Sequence, residues 1–165
     1  MILYHGSNLI IPQINLNLCK PYKDFGKGFY CTDIKEQAEL MAKRVSRIYG
    51  GKSYVNEFNF DDRILKSSKL NIKIFDIPSE EWAVFVMNNR NRNFLNIQSL
   101  NCNVDNKYDL VVGPVADDDL ALLFRTFTRG IIDINILVNK MKYKALTTQY
   151  SFHTNKSLKH LKNMG

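Results

Sequence analysis

Apolar residues in this chain come in short runs of two different periods, interrupted throughout by Gly and Pro. No other feature of the sequence restricts the fold as much. "FYCT" at 29–32 is an extended, aromatic-rich run. Behind it Ala38, Met41, Ala42 and Val45 recur at helical spacing, which predicts a helix over 34–48 that stops at Gly50-Gly51. Asp33, with Glu36 three residues on, is the expected N-cap. "SYVNEFNF" at 53–60 alternates with period two and predicts a strand. "ILYH" at 2–5, "YDLVVGP" at 108–114 and "TTQYSFHT" at 147–154 read as further strands, and 64–76 as a weaker extended stretch. Ser79 opens a helix that carries Trp82, Phe85 and Val86 on one side and two acids in its first turn. A helix over 116–130 is capped by one of Asp117 to Asp119 and closed by Gly130. Residues 132–141 favour helix, and a last helix is expected over 155–164. Short strands interleaved irregularly with helices predict one α+β domain over 1–165 rather than a doubly wound sheet.

Composition narrows the classes. A chain of 165 residues with 45% hydrophobic and 24% charged residues can bury a core without metals or disulfides. The three cysteines form no Cys-x-x-Cys pair, and the three histidines show no ligand spacing, so no metal site is expected. No run approaches a membrane span and no signal peptide is evident, so a cytoplasmic protein without membrane contact is expected. The net charge of +7 suits an anionic partner such as nucleic acid or a phosphorylated cofactor. Much of that excess is scattered, and the basic last segment reads as a solvated helix face.

No Gly-x-Gly-x-x-Gly follows a strand and no phosphate-loop motif is present. Three other stretches carry the chemistry: "LYHGS" at 3–7, "FGKGFYCTD" at 25–33 and "TQYSF" at 148–152. Together, and in this order, they resemble the signature stretches of the ADP-ribosyltransferase superfamily in its poly(ADP-ribose) polymerase/diphtheria-toxin branch. Over nearly its whole length the chain also resembles a family of small bacterial proteins in that superfamily. The shared features are Asn89-Arg90 after the Trp-bearing helix, the stretch from Tyr108 to Asp118, and Gln in the third slot at 149.

The resemblance implies a fold of two small packed antiparallel sheets with flanking helices. It implies cleavage of NAD, as co-substrate, between nicotinamide and ribose through an oxocarbenium-like transition state. It also implies a site in which His5, Tyr30 and Gln149 are the catalytic set. His5 would bond an adenosine-side ribose hydroxyl, Gly6 would offer backbone groups to nicotinamide, and Tyr30 would stack on its ring. Ser7, Phe25, Gly26, Gly28 and Arg90 would complete the cofactor contacts, Arg90 facing the pyrophosphate.

Two positions depart from the polymerase pattern. Gln149 stands where those enzymes carry a Glu, and an amide cannot act as a general base. This disfavours chain elongation and leaves single transfer, with Asp117 and Asp118, and Asp119 beside them, as candidate accessory acids. Ala38 and Met41 stand where the polymerases carry a nicotinamide-binding Ser and a second stacking Tyr. The expected function is therefore a mono-ADP-ribosyltransferase acting on a macromolecular acceptor, protein or nucleic acid. The resemblance suggests a toxin or defence effector with a neutralising antitoxin partner. The alternatives are an NAD glycohydrolase and a catalytically degenerate module that binds NAD or nucleic acid.

Overall fold

In the computed structural model, which describes Met1–Gly165, all strands hydrogen-bond into one continuous, curled, seven-stranded sheet. The strands are β1 (Ile2–Ser7), β2 (Phe29–Thr32), β3 (Tyr54–Phe60), β4 (Ile72–Ile74), β5 (Leu110–Pro114), β6 (Thr148–Phe152) and β7 (Leu161–Asn163). Five helices accompany them: α1 (Lys35–Tyr49), α2 (Glu80–Arg90), α3 (Asp118–Thr128), α4 (Ile134–Met141) and the single turn α5 (Asn155–Leu158). The sheet order is β4-β5-β6-β2-β1-β3-β7.

The α+β class holds, but the two separate sheets do not. β1 pairs with β3 along its whole length, from Ile2 opposite Asn59 to Ser7 opposite Tyr54. It meets β2 only at Tyr4 opposite Thr32. That one pair joins the two halves into a single sheet. Nor is the sheet all antiparallel, because β4 runs parallel to β5.

Period-two alternation sends side chains to two faces. On one face Leu3, Phe29, Phe58, Phe60, Leu110 and Phe152 form a core. It is closed by Ile64 and Leu70 and flanked by Leu16, so short 3-10 turns and loops cover it rather than long helices. On the other face α2, α3 and α4 pack Trp82, Phe85, Val86, Leu120, Phe124, Leu137 and Met141 over β5. The Trp82 indole N–H donates to the Pro114 carbonyl at 3.2 Å, fixing α2 to the end of β5. On that same face α1 lies against β1 and β3. Its buried alanines Ala38 and Ala42 let it approach closely. A Cβ at Gly6 would stand 2.0 Å from the Ala38 carbonyl oxygen and 2.6 Å from the Ala42 nitrogen, so Gly6 is a packing requirement of α1.

Several element boundaries differ from the sequence reading. β1 runs on through His5, Gly6 and Ser7, so these residues lie inside a strand and not just past one. The N-cap of α1 is Ile34, with no side-chain bond of its own. Thr32, and not Asp33, braces the entry to the helix: its Oγ1 accepts from the Ile34 N–H and donates to Gln37 Oε1. Residues 64–76 hold a 3-10 turn and the short β4 rather than one extended stretch. The expected last helix ends after one turn, and β7 takes its place. Leu161 enters the core there and β7 pairs with β3. Caps at Ser79 and Asp117 and the helix over 134–141 are as expected.

Gly6→Ala tests the packing of α1. The clash is with backbone on both sides, and no side-chain rotation relieves it. The substitution is expected to cost about 3 kcal/mol, read as a lower urea midpoint with an unchanged slope.

Candidate functional site

β6, β2 and β1 are consecutive neighbours in the sheet, and they carry Gln149, Tyr30 and His5. The fold therefore brings together three residues from the two ends of the sequence. Their side chains do not all leave the same face. Tyr30 and Gln149 share the face covered by the long helices, since Thr32 stands opposite Gln149 and Tyr30 opposite Ser151. His5 leaves the other face and stacks on Phe29, ring centroids 4.3 Å apart. A ligand that used all three would lie across the parting of β1 and β2.

His5 Nδ1 lies 2.6 Å from the Tyr30 carbonyl oxygen. Burial lowers its pKa, so the imidazole is neutral at pH 7. A carbonyl can only accept, so the proton sits on Nδ1 and Nε2 is left as a bare acceptor. Nε2 has no partner in the protein and is not sealed from solvent.

The Tyr30 hydroxyl donates to the Gly26 carbonyl at 2.7 Å and accepts from the Phe25 N–H at 3.0 Å. Burial, with Asp24 beside it, pushes its pKa well above the usual phenol range, so it stays neutral. Both bonds fix the ring's direction and hold the 24–26 loop against β2.

Asp24 is the centre of the arrangement. The residue is 7% exposed, and its carboxylate serves three separate segments. Oδ1 accepts from Arg90 Nε at 2.8 Å and from Arg90 Nη2. Oδ2 accepts from the Ala116 N–H at 3.0 Å and from Gln149 Nε2 at 2.8 Å. The Asp24 carbonyl also accepts from Asn89, which in turn accepts from the Asn103 N–H. Gln149 Nε2 has a second acceptor, the Pro114 carbonyl at 3.1 Å. With both amide protons engaged, only Gln149 Oε1 is free, and it too reaches the surface.

The other expected site residues have defined places. Phe25 is fully buried in the helix-side core against Phe75 and Phe85, so its ring cannot touch a cofactor. Gly26 has a φ of 92°, and a Cβ there would meet the Asn103 carbonyl oxygen at 2.9 Å. A Cβ on Gly28 would strike His153 Nδ1 at 2.6 Å. Loop packing therefore accounts for both glycines. Ser7 Oγ accepts from the Leu9 N–H. The Arg90 guanidinium is engaged by Asp24 rather than left open for a pyrophosphate. Asp117 caps α3 and, with Asp119, faces Lys144, while Asp118 is exposed without an ion pair. No group of three or more His, Cys, Asp or Glu side chains could hold a metal. No helix is long and apolar enough to cross a membrane.

Sequence reasoning missed Asp24 and His153, and it read Asn89 only as part of a resemblance. His153 is buried with Nδ1 2.8 Å from the Lys27 carbonyl and Nε2 2.8 Å from Ser151 Oγ. Burial lowers its pKa to about 4. The neutral ring donates from Nδ1 to the Lys27 carbonyl, which pins the Gly26–Gly28 loop from below, while the Ser151 hydroxyl lies within reach of both Nε2 and the Val111 carbonyl. Alternating strand sequence gives no sign that His153 would be buried.

Two surface hollows lie away from the three residues. One, of about 680 Å3, is lined by Gln13, Asn15, Asn17, Lys27, Asn106 and the His153–Asn155 turn, behind the same glycine loop. The other, of about 410 Å3, lies between Asn59–Arg63 and Lys159–Lys162.

A family model described as a protein of unknown function (DUF3990) matches residues 1–163. No curated protein and no solved structure matches the chain.

His153 sets an expected pH dependence of stability. The unfolded chain takes up the proton near pH 6.5, but the folded ring does so only near pH 4. This contribution is fully present above pH 6.5 and is lost as pH falls toward 4, about 3 kcal/mol in all. His5, shifted the same way, adds to it. Urea unfolding across that window should show the fall in the wild type and a flatter profile in His153→Gln.

Proposed function

We propose that this chain, which belongs to the DUF3990 family, is an NAD-dependent mono-ADP-ribosyltransferase with an ADP-ribosyltransferase-like fold. One observation carries the reading. His5, Tyr30 and Gln149, picked out by three motifs far apart in sequence, stand on three adjacent strands in the order β1, β2, β6. NAD is the co-substrate, and a macromolecule, protein or nucleic acid, is the acceptor.

The chemistry of the side chains suits that substrate. NAD carries two riboses whose hydroxyls donate hydrogen bonds. His5 Nε2 and Gln149 Oε1 are the two unpartnered neutral acceptors of the catalytic set. The fixed Tyr30 ring offers a flat surface to a nicotinamide. Such contacts position the ribose for loss of nicotinamide, and positioning alone contributes several kcal/mol to a barrier. Gln149 brings no base, so the acceptor must be a good nucleophile in its own right or be activated elsewhere. That favours one transfer per target over chain growth. A toxin or defence effector held in check by an antitoxin is the biological setting this activity suggests.

Nicotinamide release from NAD, with and without cell lysate, tests the reading. Lysate-dependent release is expected, with His5→Ala and Tyr30→Ala each lowering it about 100-fold while folded by circular dichroism. Release without lysate would indicate a glycohydrolase. Absence of release with NAD still bound would indicate a binding module.

A further inference from the structure

We infer that Asp24 is a positioning residue for Gln149, and that it makes position 149 a site for a neutral amide and not for a carboxylate. The inference rests on the transferase reading for its activity readout, but its geometry stands apart from it. A glutamine amide can be placed either way round. At 149 the choice is forced, because both groups facing Nε2 are acceptors: Asp24 Oδ2 at 2.8 Å and the Pro114 carbonyl at 3.1 Å. Oε1 is thereby turned outward as the one group left for a ligand hydroxyl. Asp24 in turn cannot swing away. Arg90 holds Oδ1 and the Ala116 N–H holds Oδ2. The chain Arg90–Asp24–Gln149 therefore sets the direction of a single oxygen atom.

The same contact excludes an ionised carboxylate. Replacing the amide by a carboxyl group would place an oxygen where Nε2 now stands, against Asp24 Oδ2 and a carbonyl. Two carboxylates at that separation share one proton, and one of them stays protonated to an unusually high pH. The protonated carboxylic acid then keeps one of the amide's two bonds: its O–H donates to Asp24, the bond to the Pro114 carbonyl is lost, and its carbonyl oxygen points outward. Other charged or titratable groups around the position are Arg90 on α2, Tyr30 on β2, and Asp117, the N-cap of α3, with its partner Lys144 from the segment after α4. Arg90 already engages Asp24, Tyr30 stays neutral, and Asp117 is capping α3, so none supplies a new counter-charge to a carboxylate at this position.

The experiment is nicotinamide release from NAD by the full chain with cell lysate present to supply the acceptor, wild type beside Gln149→Glu and Asp24→Asn, over about pH 5.5 to 8.5. Asp24→Asn is expected to lose about 100-fold in kcat with a much smaller change in the KM for NAD. Gln149→Glu is expected to keep near-wild-type release at the acid end and lose it as pH rises, against a flat wild-type profile in that range. If Asp24→Asn does not fold, the Gln149→Glu profile decides alone. A Gln149→Glu enzyme whose release rises with pH, or matches the wild type throughout, overturns the inference and leaves the transferase reading intact. So does a folded Asp24→Asn enzyme with wild-type kcat. A wild type that releases no nicotinamide overturns both.

Discussion

One buried carboxylate holds the candidate site together. Asp24 lies in a loop with no regular structure of its own, yet its side chain bonds the end of α2, the segment leading into α3 and the beginning of β6. A buried charge is tolerated only when its lone pairs are met, and here Arg90 supplies the counter-charge and backbone and amide donors supply the rest. Removing one partner of such a pair typically costs about 3–5 kcal/mol, because the other is left buried and unmatched. The 24–28 loop depends on this anchor. So does Tyr30, whose hydroxyl is held by the next two residues of that loop. The loop's far end is pinned separately by His153.

The sheet explains why the site falls where it does. β1 is fully committed to β3 and touches β2 at one pair only, so β1 and β2 part below Tyr4 and Thr32. The parting is bridged by the His5 side chain to the Tyr30 carbonyl rather than by a ladder. Helix α1 crowds one flank of it through Gly6 and Ala38, which also gives Ala38 a structural reason to be small. Helices α2 and α3 bound the other flank through Arg90 and Ala116. What faces the parting is two neutral acceptors, His5 Nε2 and Gln149 Oε1, and a fixed aromatic ring, groups that can meet hydroxyls and a flat heterocycle.

Much of this was legible in the sequence. Long elements with a clear period, α1, α3 and β3, announce themselves, because burying one face of an amphipathic segment is a local requirement. The caps at Ser79 and Asp117 are local too. What the sequence hid is set by tertiary contact. "HTNKSLKHLKNM" has helical composition, but β3 offers a free edge and Leu161 a place in the core, so the segment ends as β7. The joining of two expected sheets through Tyr4 and Thr32 is likewise a matter of pairing and not of propensity. At the site, His5, Tyr30 and Gln149 were visible as motifs. Asp24 was not: an acid in a Lys- and Gly-rich loop looks solvated until Arg90, 66 residues on, is found against it. Phe25 was visible for the wrong reason, since its ring belongs to the core.

The most direct test of the account is where NAD lands. Titration of isotopically labelled protein with NAD, followed by the side-chain amide signals of glutamine and asparagine and the imidazole signals of His5, resolves this residue by residue. Gln149 and His5 are expected to shift together with the backbone of Tyr30, while Asn15, Asn17 and Asn106 in the separate hollow stay unmoved. Shifts confined to that hollow, or none at Gln149, would contradict it.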